Sequence, residues 1–206
     1  MVTSSTRRPR RTQAQRRDAA RAAILETAVR LLAGGGYSNM TLADLGERAG
    51  YSRSLAAHYF GSKPKLLAAI IDHVRESSPP SMPDTLRGVG RIETEIIKFF
   101  DGLVTDAENI RAYIVIAHEA ATSLPELLPM IHEQNVALRT RIEADLREGI
   151  RDGTVRPDLE PVSLSIAITT MIRGVAWEWF TDPNLDVMAC RQAVLDQVRV
   201  LTATTT

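Results

Sequence analysis

Four side chains between positions 53 and 58 carry the densest chemistry in this sequence. On a helix over this stretch, Ala56 and Phe60 sit four residues apart and share one face, which leaves Arg53, Ser54, Leu55 and His58 outside. A guanidinium donates two parallel hydrogen bonds to guanine, a hydroxyl pairs with several base edges, and a leucine meets a thymine methyl. Tyr59 follows, and Lys63 stands at the start of the next helix, where the helix dipole and free N–H groups attract phosphate. Such side chains read a major groove only from a short helix that is held rigidly and exposed along one side.

The flanking residues supply that support. Thr41 is a good N-cap, with Asp44 three residues on in a capping-box pattern, and Leu42, Leu45 and Ala49 form the buried stripe of a short helix closed by Gly50. Ser52 is placed to cap the helix that follows, which ends at Phe60-Gly61, and Ser62 caps a further helix whose first turn tolerates Pro64. Two capped short helices around a glycine turn are the layout of a helix-turn-helix. In front lies an arm over residues 1–18 with Arg7, Arg8, Arg10, Arg11, Arg16 and Arg17 against the single acid Asp18, expected to be flexible and to contact phosphates. A helix from about Arg17 to Ala33, with Ile24, Ala28, Leu31 and Leu32 on one face, links arm to motif, and the run Gly34–Gly36 ends it.

The formal net charge is zero, but the charge is unevenly spread: residues 1–75 hold 13 Lys and Arg against 5 Asp and Glu, and residues 76–206 hold 12 against 20. A basic front and an acidic back fit a DNA-binding head on a body that stays off DNA. A single cysteine, Cys190, excludes an intrachain disulfide and fits a reducing compartment. The N-terminal charges have no apolar run behind them, so they do not read as a signal peptide. The longest apolar stretch, Val162 to Phe180, is broken by Arg173 and Glu178 and reads as a buried helix, not a membrane span. The expected location is the cytoplasm.

Beyond position 63 the periodicity is helical throughout. Lys63 to Ser77 forms a fourth helix before the break Ser77-Ser78-Pro79-Pro80. Val89, Ile92, Ile96, Phe99, Phe100 and Leu103 line one helix, and Ile110, Tyr113, Ile114, Ala117 and Ala121 line the next. Leu138, Ile142, Leu146 and Ile150 recur every fourth residue, and the last helix, after the turn Asp182-Pro183-Asn184, carries Val187, Cys190, Val194, Val198 and Leu201. The expected fold is all-α, with about nine helices: a three-helix head over residues 19–62 and a helical effector-binding and dimerisation body over 63–206.

Residues from about Ala20 to Val74 resemble the N-terminal domain of the TetR (tetracycline repressor-like) family of bacterial transcriptional regulators. The resemblance rests on Ala22, Ile24, Leu25, Ala28, Leu31 and Leu32, on Gly36-Tyr37 before Thr41, and on Leu45, Ala49 and Gly50. It continues through Ser52-Arg53, the Tyr59-Phe60-Gly61-Ser62-Lys63 ending and Leu66-Leu67. It implies DNA contacts at Thr41, Arg53, Ser54, Leu55, His58, Tyr59 and Lys63. Two positions depart from the family pattern: Ala57 stands where a phosphate-binding tyrosine is usual, and Leu55 where a small hydroxyl residue is frequent. The arginine arm is placed to supply the phosphate contacts that Ala57 cannot.

His58, His73, His118 and His132 lack metal-ligand spacing, and there is no Gly-x-Ser-x-Gly turn, so neither a metal site nor a hydrolase is expected and no catalytic residue or cofactor is assigned. A body of about 130 residues exceeds what dimerisation needs. Tyr113, His118, Met171 and Trp177 are candidates to line a small-molecule pocket, with His118 its polar anchor, although each fits an ordinary core or interface role equally well. The acidic body tilts the expected effector slightly toward a neutral or cationic compound. The favoured reading is a repressor released from a palindromic operator by a small organic effector, working as a homodimer through its last two helices. The alternative is a constitutive or architectural DNA-binding protein without such a switch.

Overall fold

The computed structural model describes residues 12–35, 37–38, 40–77, 83, 85–182 and 184–204. The arm over 1–11, Gly36, the break at 78–80 and Pro183 lie outside the described residues. Among those described there are nine α-helices and no strand: α1 (Gln13–Ala33), α2 (Leu42–Arg48), α3 (Arg53–Phe60), α4 (Lys63–Ser77), α5 (Gly88–Thr105), α6 (Ala107–Thr122), α7 (Leu128–Arg151), α8 (Pro161–Thr181) and α9 (Val187–Thr202). A short 3-10 turn, Pro125–Leu127, which the sequence did not announce, leads into α7. No helix among them is long and apolar enough to cross a membrane.

Helix α1 starts four residues earlier than its apolar periodicity suggests. Thr12 and Gln15 form a reciprocal capping box, the Gln15 N–H donating to Thr12 Oγ1 at 3.2 Å and the Thr12 N–H to Gln15 Oε1 at 2.9 Å. The cap is polar and the first turns are exposed, so a reading that follows buried residues begins too late. Arg16 and Arg17 therefore belong to a helix rather than to an extended arm.

Two apolar cores divide the molecule. The first takes Ile24, Ala28 and Leu32 from α1, Leu45 from α2, Ala56 and Phe60 from α3, and Leu66, Leu67, Ile70 and Ile71 from α4. It continues into Ala112, Ile116 and Ala120 of α6 and into Ile131 of α7, so the head helices and α6 are packed as one unit. The second core gathers Ile92, Ile96 and Phe100 of α5, Ile142 and Leu146 of α7, Ile168 and Ile172 of α8, and Val194, Leu195 and Val198 of α9. The buried line of α6 is Ala112, Ile116 and Ala120, with Ile110, Tyr113, Ile114 and Ala117 only half-buried and Ala121 exposed. The expected stripe is rotated because α6 is covered from both sides, by α1 and α4 on one and by α5 and α7 on the other.

The last helix also departs from expectation. Val187, Val194 and Val198 face the chain's own second core, with Cys190 and Leu201 packed against it, so this stripe is not free to meet a partner. The open faces are elsewhere: Val162, Ile166, Thr170, Gly174 and Trp177 on α8, and Met188, Ala193 and Val200 on α9.

Candidate nucleic-acid interface

The turn between α2 and α3 is fixed by two glycines. Gly50 has φ +81°, a left-handed conformation that costs other residues energy. Gly46, inside α2, accepts the Tyr51 N–H at 2.9 Å, and a Cβ added to it would lie 2.4 Å from the Ser52 carbonyl oxygen. Only glycine fits there.

Thr41 caps α2 as expected, its hydroxyl oxygen accepting the Asp44 N–H at 3.1 Å; the hydroxyl in turn donates to the Asp44 carboxylate at 2.7 Å. The carboxylate thus binds the cap's side chain instead of reaching its backbone. Ser52 occupies the N-cap position of α3 in extended backbone but makes no side-chain cap bond; its Oγ lies 3.3 Å from Ser54 Oγ. What holds α3 is burial of Ala56 and Phe60 in the first core, aided by the Arg21 guanidinium over the Phe60 ring at 5.5 Å.

Arg53, Ser54 and His58 are exposed on one side of α3, while Leu55 and Tyr59 are half-buried against the first core. Arg53 Nη1 lies 3.3 Å from Glu47 Oε1, with the side chains 66% and 50% exposed. An ion pair so open to water and salt is worth about 0–1 kcal/mol, so Arg53 can exchange it for a base at little cost. Lys63 is more committed: its Nζ donates to the Tyr37 carbonyl at 2.6 Å and stands 3.7 Å from the Tyr37 ring centroid, pinning the α1–α2 loop to the start of α4. Burial pulls the Lys63 ammonium below its ordinary range, partly offset by the Glu119 carboxylate on α6, and burial with Glu119 and Glu126 raises the Tyr37 phenol.

Two of the arm's arginines, Arg16 and Arg17, come to the site from α1, together with the unexpected Gln13. Gln13, Arg16 and Arg17 share an open hollow with Tyr59, so two arginines of α1 flank the recognition helix. The only signal for this was the Thr12-x-x-Gln15 spacing that starts the helix early.

Of the four candidate pocket residues, two meet. His118 and Trp177 are exposed and stack on each other at 6.4 Å between ring centroids, and Trp177 stacks on Phe180 at 6.0 Å. Tyr113 is set deeper, its hydroxyl raised by burial and partly lowered again by the Arg173 charge. Met171 packs against the second core and, six positions before Trp177, stands well around α8 from it on the helical repeat. Among the described residues no cluster of His, Cys, Asp and Glu is arranged to hold a metal ion.

Residues 24–70, from α1 into α4, match the family described as bacterial regulatory proteins, tetR family. That stretch is a TetR-family DNA-binding domain. It is similar over 171 residues, at 25% identity, to the probable HTH-type transcriptional regulator ArpR of Pseudomonas putida, covering 80% of this chain and 81% of ArpR. Its fold is similar to that of NalD, the secondary repressor of the MexAB-OprM multidrug efflux pump in Pseudomonas aeruginosa, with a TM-score of 0.75 at 20% identity over 92% of this chain and all of NalD. A regulator from Saccharomonospora viridis, solved in complex with choline, superposes with a TM-score of 0.78 at 20% identity over 91% of this chain and all of that one. Residues 24–70 thus carry a TetR-family helix-turn-helix, and the relatives matched over most of the chain are named HTH-type transcriptional regulators.

Proposed function

We propose that this regulator is a homodimeric repressor that holds a palindromic operator and is released from it by a small organic effector. The observation that carries the reading is α3, rigid through Ala56 and Phe60, with Arg53, Ser54 and His58 turned to solvent between Glu47 and the Arg16–Arg17 pair. Arg53, Ser54 and His58 meet base edges, joined by the open side of Leu55; Thr41, Tyr59, Arg16 and Arg17 meet phosphates. Lys63 keeps two ammonium N–H groups for phosphate beyond its bond to Tyr37. Residues 19–62 act as the reading head, with the arm 1–18 before them and 63–206 as the effector-binding and dimerisation body.

The dimer forms through the open faces of α8 and α9, with Thr170 and Gly174 at the close approach of two α8 helices and Val200 at the rim. Four such helices pack at about 20° in a bundle. NalD, named a repressor, and the choline complex support the repressor and effector parts of the reading. The first core supports the coupling, because α6 and the head share it and an effector that shifts α6 moves α4 with it. A tenfold loss of operator affinity needs only about 1.4 kcal/mol of such coupling.

Footprinting on randomised DNA selected by the protein tests this: two half-sites spaced for recognition helices roughly 34–36 Å apart are expected, and a single asymmetric half-site would count against it. Thr170→Arg is expected to leave helicity and melting intact while sedimentation shows monomers that no longer hold the operator.

A further inference from the structure

Two charges meet across the turn between α2 and α3. Glu47 stands in the last turn of α2, Arg53 is the first residue of α3, and Arg53 Nη1 donates to Glu47 Oε1 at 3.3 Å. Each sits at the helix end that the dipole disfavours, an acid beside free carbonyls and a cation beside free N–H groups. The backbone keeps the two ends together. The Glu47 carbonyl accepts the Gly50 N–H at 2.9 Å, and Gly46, the neighbour of Glu47, lies against Ser52, the neighbour of Arg53. Between Tyr37 and Lys63 the sequence has one other acid, Asp44, whose carboxylate already accepts from the Thr41 hydroxyl. Glu47 is therefore the carboxylate that borders the exposed side of the recognition helix. The N–H groups on Nε and Nη2 of Arg53 meet no described residue.

A carboxylate on a surface that meets DNA repels phosphates, and an ion pair this exposed adds little to the fold. Its chemistry bears instead on what Arg53 binds. Guanine takes two N–H groups at O6 and N7, and Nε and Nη2 supply them while Nη1 stays on Glu47. A backbone phosphate reached by Arg53 brings a second anion toward Glu47, and the repulsion between the two offsets part of the attraction. We propose that Glu47 is a specificity-determining positioning residue: acting through Arg53, it presents the guanidinium to a guanine and disfavours the phosphate contacts that hold any sequence. A repulsive element set beside an attractive one lowers binding to the wrong partner more than to the right one. The proposal rests on the reading of Arg53 as a base contact.

The test uses the full chain, the duplex that the wild type selects from randomised DNA, and a scrambled duplex of equal length and composition. Affinities for both are measured at constant ionic strength. Glu47→Gln keeps the length of the side chain and removes its charge. It is expected to tighten binding to the scrambled duplex and weaken binding to the selected one, about threefold each, lowering their ratio about tenfold. Glu47→Asp keeps the charge and is expected to retain part of the ratio. In an Arg53→Ala background, Glu47→Gln is expected to shift both duplexes by the same factor, because only the general repulsion remains. A ratio unchanged by Glu47→Gln overturns the proposal. So does an equal fall of the ratio in the Arg53→Ala background, which would have Glu47 act without Arg53. A melting temperature lowered together with the ratio would show that the pair serves the α2–α3 turn and not the choice of DNA. Arg53→Ala alone tells the two readings apart. If it leaves base selectivity untouched, Arg53 reads no base and both readings fail; if it relaxes selectivity while Glu47→Gln does not, the base contact stands and the role of Glu47 falls.

Discussion

Arg53 on α3 and Arg173 on α8 are the same side chain in opposite settings. Arg53 lies in open solvent and already holds Glu47, a partner it can give up for about the cost of a surface ion pair. Arg173 is half-buried, feels the Tyr113 phenol and the like charge of Arg139, and forms no ion pair with an acid among the described residues. The head keeps its reactive groups outside a core made of alanine, leucine, isoleucine and phenylalanine. The body breaks its core in two and places polar groups at the break. A surface ion pair is cheap to exchange, whereas a charge drawn partly out of water is costly wherever it lacks a counter-charge.

The sharpest way to break this contrast is to put a charge where the body tolerates none. Val194→Asp places a carboxylate in the second core, at a position 7% exposed, with no cation assigned to it. A loss of about 4 kcal/mol or more is expected, read as collapse of helicity at low urea. If Val194→Asp instead gives a folded monomer, Val194 faces a partner and the open faces assigned to α8 and α9 are wrong.

Gly46→Ala tests the head's rigidity. The added methyl meets backbone at 2.4 Å, so the α2–α3 turn has to open. Overpacking of this kind costs about 1–3 kcal/mol, and operator binding is expected to vanish while the second core melts as before. Retained DNA affinity would mean that the spacing of α2 and α3 is not what orients the recognition helix.

What was legible in the sequence follows the same division. The head could be read because its signals are local: caps at Thr41 and Ser62, the glycine at 50, and Ala56 and Phe60 four apart on a short helix. Where reading failed there, at Ser52 and at the start of α1, the cause was a choice among local hydrogen bonds that spacing does not settle. In the body the helices were legible and their orientations were not. The valines of α9 repeat at helical intervals whether they face the chain's own core or a partner, and periodicity is silent on which. Arg173 was noticed only as an interruption of an apolar run. That its charge is felt by Tyr113 and Arg139 depends on how three helices pack, which no local pattern encodes. His118 and Trp177 do come together, 59 positions apart in sequence, but on the outside.

Arg53→Ala sharpens the comparison from the head's side. Loss of one bidentate base contact costs about 1–3 kcal/mol and relaxes selectivity at one base pair. Because the Glu47 pair is exposed, the melting temperature is expected to stay put. Deleting residues 1–17 removes the arm together with Arg16 and Arg17, and is expected to weaken all DNA sequences alike and flatten the salt dependence, which counts phosphates. An unchanged salt slope would show that these arginines touch none.

The smallest effect tests whether a buried charge in the body is always a burden, even with a partner. Asp145 on α7 is 13% exposed and stands 3.7 Å from Arg91 Nε. Burial raises its carboxyl above the ordinary carboxylate range more than Arg91 lowers it, with Glu95 and Glu148 adding to the rise. A carboxyl that binds its proton more tightly folded than unfolded favours the fold at low pH, and that contribution is lost as pH rises through the folded value. Asp145→Asn carries no such proton. It is expected to match the wild type near pH 3 and to exceed it near neutrality by less than about 1.4 kcal/mol, the worth of a tenfold change in proton affinity. Urea titrations at the two pH values measure the difference. A variant less stable than the wild type at neutral pH would mean that the Arg91 pair outweighs the cost of burial, and that Arg173, lacking such a pair, is the exception in the body and not its rule.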